Sequence, residues 1–356
     1  MPKPRFLAPW HQPDLLASLE AGGLSVEELD DLKGKPAIYH CLSRVVDRNF
    51  VLGDAEREQF VAYMRTYERF CGVRVLAFCV MSNHFHLLLE VPATPEGRGA
   101  EWSDEELLDH LSGLYSKQQM GALRWELEHY RKQKNTEAAE AFRERYFRRM
   151  WDLSQFMKTL KQRFARWFNR RHERRGTLWE ERFKSILVED GHAARTMAAY
   201  IDLNPVRARM VDDPKDYRWC SYAEAVAGKT RSREGLQRVM FEDESSVASE
   251  QQAAEMLITW REAAYHYRQI LHMAVHRNEE NLDPGEATQL TEAQSLCHKI
   301  RYFIDGLALG RGPFIERIFT MARDRFGPSR RSGARKLRRI DTPLRTMRDL
   351  QRQAIG

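Results

Sequence analysis

Two histidines, His84 and His86, lie two apart in the stretch VRVLAFCVMSNHFHLLLEV. Side chains on a strand alternate faces, so both imidazoles point to one side and Phe85 to the other. Neutral imidazole is a common metal ligand, and two rings on one face make a ready pair. The plainer reading of an isolated H-x-H is two surface histidines. The strongly apolar strand around this pair argues against that reading, and both rings are expected to line an open face. A pair is not a complete site. Zinc usually takes three or four protein ligands and magnesium prefers oxygen, so a third ligand must come from elsewhere in the chain.

Further on, in MAAYIDLNPVRARMV, Tyr200 and Asn204 are four apart. On a helix that spacing puts them on one face, one turn separated. A tyrosine hydroxyl beside an amide oxygen suits a nucleophile with a neighbouring metal ligand. Free tyrosine has a pKa near 10 and attacks poorly. A divalent cation on the scissile phosphate would lower the barrier by stabilising charge on the transferring oxygens. A covalent phosphotyrosine would then keep the bond energy for rejoining without ATP. The same segment also reads as a buried tyrosine at a helix end, with Asn204 capping a helix that starts at Pro205.

The charge is +6, with 57 Lys and Arg against 51 Asp and Glu. The excess is modest, and its distribution says more. Residues 320–339 hold eight cations against the single acid Asp324, among them Arg330, Arg331, Arg335, Lys336, Arg338 and Arg339. A second cluster, 158–175, includes Arg163, Arg166, Arg170, Arg171, Arg174 and Arg175. Clustered cations suit phosphate backbones, although a solvated helix face or a disordered tail has the same composition. The five cysteines contain no C-x-x-C pair, which argues against a disulfide framework and a cysteine zinc site and fits a reducing cytosol. The N-terminus lacks a secretion signal, and no run approaches the ~20 apolar residues of a membrane span. A soluble, cytoplasmic protein is expected.

These residues need a scaffold. Residues 1–35 read as a polar leader with a short helix near 25–32. A strand is expected over 38–43. A helix capped by Asp54 should follow to about Phe70 and end at Gly72, with strand character over 73–91. Residues 93–150 are charged and helical, an insertion within the domain. A helix over 154–169, a basic turn and strand character over 176–188 come next. Asp190 is expected to cap the helix that carries Tyr200. A linker is expected over 228–250. The region 251–356 should be helical, with helices at about 287–309 and 313–326 ahead of a basic tail without periodicity, in outline a helix-turn-helix or a plain helical hairpin.

MSNHFHLLLEV with YIDLNPVRARMV, preceded by YHCLSR and followed by DYRWCSY, resembles the single-tyrosine HUH transposases, the insertion-sequence 200/605 type and their REP-associated relatives. The resemblance covers about residues 36–225 without the insertion, and the tail FGPSRRSGARK looks like the C-terminus of larger members. It implies an α+β catalytic domain over 36–227, a ferredoxin-like antiparallel sheet with helices, the HUH nuclease fold. It implies His84, His86 and Asn204 as ligands of Mg2+ or Mn2+ and Tyr200 as the nucleophile. It further implies a homodimer acting on hairpin-flanked single-stranded DNA, leaving a 5′-phosphotyrosine and a free 3′-OH, as in transposition of a mobile element, with the protein near the nucleoid. Three departures stand out: Ser82 replaces the usual proline before Asn-His, His86 and Tyr200 are far apart in sequence, and the first strand lacks a Gly-Thr-Trp-Tyr signature. The competing readings are a domesticated relative that binds DNA hairpins without cutting, a hydrolytic phosphoesterase, for which a second H-x-[ST] copy is missing, and a replication initiator or relaxase, which the Tyr-to-Asn-Pro segment fits less well.

Overall fold

The computed structural model describes residues 6–12, 34–240, 259–279, 290–298 and 301–350. The expected helix at 25–32 lies outside them. The first strand, β1 (Ala37–Arg44), leads through helix α1 (Asp54–Cys71) to the hairpin β2 (Arg74–Val80) and β3 (His84–Val91). Asp54 is the first residue of α1 rather than its cap, since Gly53 holds the N-cap position. Gly72 ends the helix in the left-handed region at φ 64°, where a residue without Cβ is unstrained. The apolar stretch 73–91 thus folds back on itself, turning at Met81–Asn83.

The insertion is helical as expected. It contributes α2 (Asp104–Leu111), α3 (Lys117–Lys132) and α4 (Thr136–Phe147). Ser103 and Ser116 each form a reciprocal capping box, with Glu106 and Gln119 respectively, which satisfies orphan N–H groups at two consecutive helix starts. Helix α5 (Leu153–Arg171) then crosses the sheet to β4 (Lys184–Val188) and α6 (His192–Asp202). Strand character over 176–188 is realised only in β4. Gly191, not Asp190, is the N-cap of α6, because the Asp190 carboxylate is committed to Arg238 at 2.5 Å and to the Gly191 N–H.

The first four strands pair antiparallel in the order β2-β3-β1-β4. Together with α1 and α5 this is the ferredoxin-like β-α-β-β-α-β arrangement, an α+β fold as expected. Both faces of the sheet are covered. On one lie α1 and α5, where Phe60, Phe85, Phe164 and Trp179 form the first core. On the other lies α6, whose Tyr200 joins Ile38, Leu88 and Ile186 in the second core with residues from 217–240, 263–274 and 296.

The C-terminal half departs from expectation. After α7 (Asn204–Arg207) and α8 (Ser221–Val226), residues 230–240 form helix α9 (Thr230–Met240) where a linker was expected to have begun. Gly235 of α9 sits so close to β2 that an added Cβ would lie 2.7 Å from the carbonyl oxygens of both Val75 and Leu76. Helix α10 (Trp260–Glu279) follows. The expected helix over 287–309 does not form. Its described part contains strand β5 (Leu290–Thr291), the short helix α11 (Glu292–Leu296) and strand β6 (Ala308–Arg311), ahead of α12 (Gly312–Met321). Strand β6 separates α11 from α12, so the two expected helices make neither a hairpin nor a helix-turn-helix.

The tail is ordered as well: β7 (Arg335–Lys336), β8 (Ile340–Asp341) and β9 (Leu344–Met347). Strand β6 adds to β4 in parallel, and β9 and β7 continue the sheet to seven strands, while β5 pairs with β8. Periodicity was invisible here because these strands are two to four residues long, too short for alternation to register.

Candidate active site

The strand register brings three histidines to one face. His86 is paired with Leu42 and His40 with Leu88, so His40 and His86 are diagonal neighbours on the same side of β1 and β3. His84 is one alternation away. The His84 and His86 ring centroids are 5.1 Å apart, and His40 stacks on His86 at 5.1 Å with planes 11° from parallel. The face is not open, as it was expected to be. His86 is 2% exposed, because α6 and residue Phe303 cover it. His84, nearer the strand end, is half-buried.

The hydrogen bonds fix which nitrogen carries each proton. His40 Nδ1 lies 2.8 Å from the Phe303 carbonyl oxygen, which can only accept, so His40 carries its proton on Nδ1. Burial pushes the His40 pKa down to about 4, and a neutral ring with Nδ1–H has a bare Nε2. That Nε2 is 2.8 Å from His86 Nδ1, so His86 Nδ1–H is the donor and His86 Nε2 holds a lone pair. Burial also holds the His86 pKa well below the usual histidine range, with the neighbouring His40 and His84 adding to the effect. His40, within YHCLSR, is a site residue that the motifs alone do not mark. Its one signal was a histidine inside an apolar strand.

Helix α6 carries Tyr200 onto this face. Its ring centroid is 6.3 Å from that of His86, with the rings nearly perpendicular, and 4.9 Å from that of Phe303. Tyr200 is 1% exposed. The Arg207 guanidinium lies over the Tyr200 ring at 3.9 Å, a cation–π contact. Arg207 also donates to the Tyr200 carbonyl at 2.7 Å and to the Leu296 carbonyl at 2.6 Å, tying α6 to the C-terminal region. Asn204 Nδ2 donates to the Ile201 carbonyl at 2.9 Å and to that of Tyr200 at 3.3 Å. The side chain therefore turns back on α6 and does not cap the short helix that contains Pro205. The carbonyl partners face the amide nitrogen, and none of them uses its Oδ1.

Two residues beyond Tyr200, Asp202 is fully buried. It accepts from Ser221 Oγ at 2.7 Å, from the Tyr222 N–H at 3.1 Å and from Tyr267 Oη at 2.7 Å. Burial pushes its pKa up to about 6, against the pull of these donors. The site helix is thereby bolted to α8 and α10.

The predicted phosphate-binding cations divide. On α5 and the turn after it, Arg163, Arg166, Arg170 and Arg175 are exposed and Arg174 is half-buried, while Arg171 bonds the Glu56 carboxylate at 3.2 Å. In the tail, Arg330 is committed to the fold: it donates to the carbonyls of Ser332, Gly333 and Arg348 and lies over the Phe326 ring at 4.6 Å. Arg331, Arg338 and Arg339 are exposed. Arg335, Lys336 and Arg338 line a cavity of about 390 Å3 with Tyr302, Arg348 and Asp349.

Among the described residues no three His, Cys, Asp or Glu side chains are grouped to hold a metal ion, and no helix is long and apolar enough to cross a membrane. No protein of curated function matches the chain. A solved structure described as "Structure of the REP associates tyrosine transposase bound to a REP hairpin" aligns with 60% of this chain and 90% of its own at 13% identity and a TM-score of 0.35, too loose a likeness to bear on the site. The family model described as "Transposase IS200 like" matches residues 35–96. Tyr200 and Asn204 fall outside that match. The segment that carries β1, β2, β3 and the histidine pair is thus similar to IS200-like transposases, in line with the resemblance read from its motifs.

Proposed function

We propose that the protein is a metal-dependent DNA strand transferase that cuts and rejoins single-stranded DNA beside hairpins, with Tyr200 as nucleophile. The observation that carries this reading is the approach of Tyr200, from α6, to the His84–His86 pair on β3 across more than a hundred residues of sequence. Tyr200 Oη attacks the phosphorus. A Tyr–O–P bond forms, the P–O3′ bond breaks, and the phenol proton passes in net to the leaving oxygen as a 3′-OH. Attack by a 3′-OH on the phosphotyrosine reverses the step.

An open donor set, one that leaves coordination positions to water and to phosphate oxygens, would suit Mg2+ or Mn2+ rather than a closed zinc site. The proposed set comprises two imidazoles, one of them with its Nε2 lone pair set by His40, and the amide oxygen of Asn204. Such ions keep several waters and accept phosphate oxygens as further ligands. When bound, the cation supplies charge stabilisation for the phosphoryl oxygens. Arg207, over the Tyr200 ring, favours charge developing on the phenol oxygen. A homodimer near the nucleoid belongs to the same reading.

The burial of Tyr200 favours a second reading, a relative that binds DNA hairpins and no longer cuts. As it stands, the hydroxyl meets a phosphate only after neighbouring side chains move. One assay separates the two. The protein is incubated with labelled single-stranded oligonucleotides from the flanks of its gene and with Mg2+. A denaturant-stable protein–DNA band that is lost with EDTA, and lost in His86→Ala, supports the transferase. Hairpin binding without any adduct supports the second reading.

A further inference from the structure

The helical insertion has no counterpart in the motifs above, yet it meets α5 at a site of its own. Arg148 and Arg149, just beyond α4, line one cavity of about 480 Å3 with Lys158, Arg163 and Arg166 of α5. Polar side chains of α5 and Tyr67 complete the wall, and no carboxylate is part of it. None of the five cations forms an ion pair among the described residues. Two are seated on rings, Arg149 over Phe70 at 4.8 Å and Arg163 over Tyr63 at 5.6 Å. Those contacts orient the guanidinium groups without neutralising them. Five like charges around one cavity repel one another, and a polyanion would relieve that repulsion.

We propose that this cavity begins a track for the backbone of duplex DNA, built jointly by the insertion and α5. The proposal rests on the DNA-transferase reading above. Three features choose this occupant. The first is length. Lys158, Gln162, Arg166 and Arg170 recur every four residues along one stripe of α5. At about 1.5 Å per residue that stripe spans about 18 Å, whereas a duplex presents a phosphate every ~3.4 Å along each strand. The stripe therefore matches several phosphates rather than one small anion. The second is the scarcity of stacking surface. Single-strand binders stack bases on aromatic rings, and Tyr67, half-buried, is the one ring in the wall. The third is position. Helix α5 packs on the first core with Phe60 and Phe85, while Tyr200 belongs to the second, across the sheet. The cavity thus takes a part of the DNA distant from the scissile phosphate, which for a hairpin-flanked site is the stem.

The test compares the full-length protein with the double variant Arg148→Glu/Lys158→Glu, and with its milder counterpart Arg148→Gln/Lys158→Gln. Affinity is read by fluorescence anisotropy for a long-stem hairpin and for a single strand of equal length, between about 50 and about 200 mM salt, the range over which phosphate contacts show in the slope. Both changed residues are exposed, and circular dichroism melts establish that the variants fold. The expected result for the Glu variant is at least about 10-fold weaker hairpin binding and a log K against log salt slope shallower by about 2, near 0.9 per lost phosphate. The Gln variant should fall between, and single-strand affinity should barely change. Hairpin binding that ignores both charges overturns the proposal alone, and an equal loss on the single strand overturns the choice of duplex. If the unmodified protein binds neither DNA, the functional reading fails, and the proposal with it.

Discussion

Asp202 offers a quantitative test of how the site helix is held. Its carboxylate accepts from Ser221, Tyr222 and Tyr267 in a fully buried position. Replacement by Ala leaves the Tyr222 N–H and the Tyr267 hydroxyl without an acceptor, whereas the Ser221 hydroxyl can still donate to the Phe78 carbonyl at 3.4 Å. At about 1–3 kcal/mol per orphaned buried group, Asp202→Ala costs about 2–6 kcal/mol. Asp202→Asn keeps the shape. Its oxygen serves Ser221 and Tyr222, its NH2 donates to a rotated Tyr267 hydroxyl, and the buried charge disappears. The pH dependence separates the two effects. The folded-state pKa is about 6, above the ordinary ~3.9. Between those values the folded protein holds a proton that the unfolded chain has lost, so stability falls as pH rises from about 4 to about 6 and is then level. Two units correspond to about 3 kcal/mol. Urea unfolding of the native protein and Asp202→Asn from about pH 4 to about pH 8 isolates this group, since other carboxylates cancel in the difference. The variant should gain about 3 kcal/mol on the native protein across that range. A difference that stays flat with pH would refute the reasoning and show that the three donors hold Asp202 at an ordinary pKa.

Tyr200→Phe removes one oxygen and should abolish the covalent adduct while DNA binding persists; adducts formed at the native rate would move the nucleophile elsewhere, with Tyr222 of the same core the next candidate, since Tyr39 lies across the sheet. His40→Leu should weaken Mn2+ binding, read by electron paramagnetic resonance titration, by about 10-fold, the lower end for loss of a group that orients a ligand; His40→Gln, whose carbonyl oxygen can take the His86 proton, should retain most of it, and equal affinities would show that His40 does not set the tautomer. Gly235→Ala forces a methyl group against the carbonyls of Val75 and Leu76 and should cost about 1–3 kcal/mol in urea unfolding; a neutral result would mean that α9 slides off β2 freely. Deleting residues 327–356 removes β9 with its buried Leu344 and Met347, about 3–6 kcal/mol of burial. A clear drop in melting temperature is expected, and an unchanged melt would reduce the tail to a solvated extension.

Where the sequence was legible, the signal was local. The H-x-H pair, the apolar strand around it and the Tyr-to-Asn spacing are each decided within a dozen residues, and the structure realises that geometry: His84 and His86 share a face, and Asn204 folds back on the turn that carries Tyr200. Helices α1 and α5 were likewise readable because apolar residues recur at helical spacing over many turns. What stayed hidden depends on pairing between distant segments. His40 reaches His86 only through the β1–β3 register, and a lone histidine in a strand carries no mark of its partner. The closed face follows from the same limit. Alternation tells which side a ring takes, and only the tertiary fold tells what covers that side, here α6 and Phe303. Cationic segments are the sharpest case. Arg330 and Arg163 belong to similarly basic stretches, yet one is spent on backbone carbonyls and the other lines a cavity with no acid in its wall. Composition fixes how many charges a segment has, and packing decides how many remain for a phosphate.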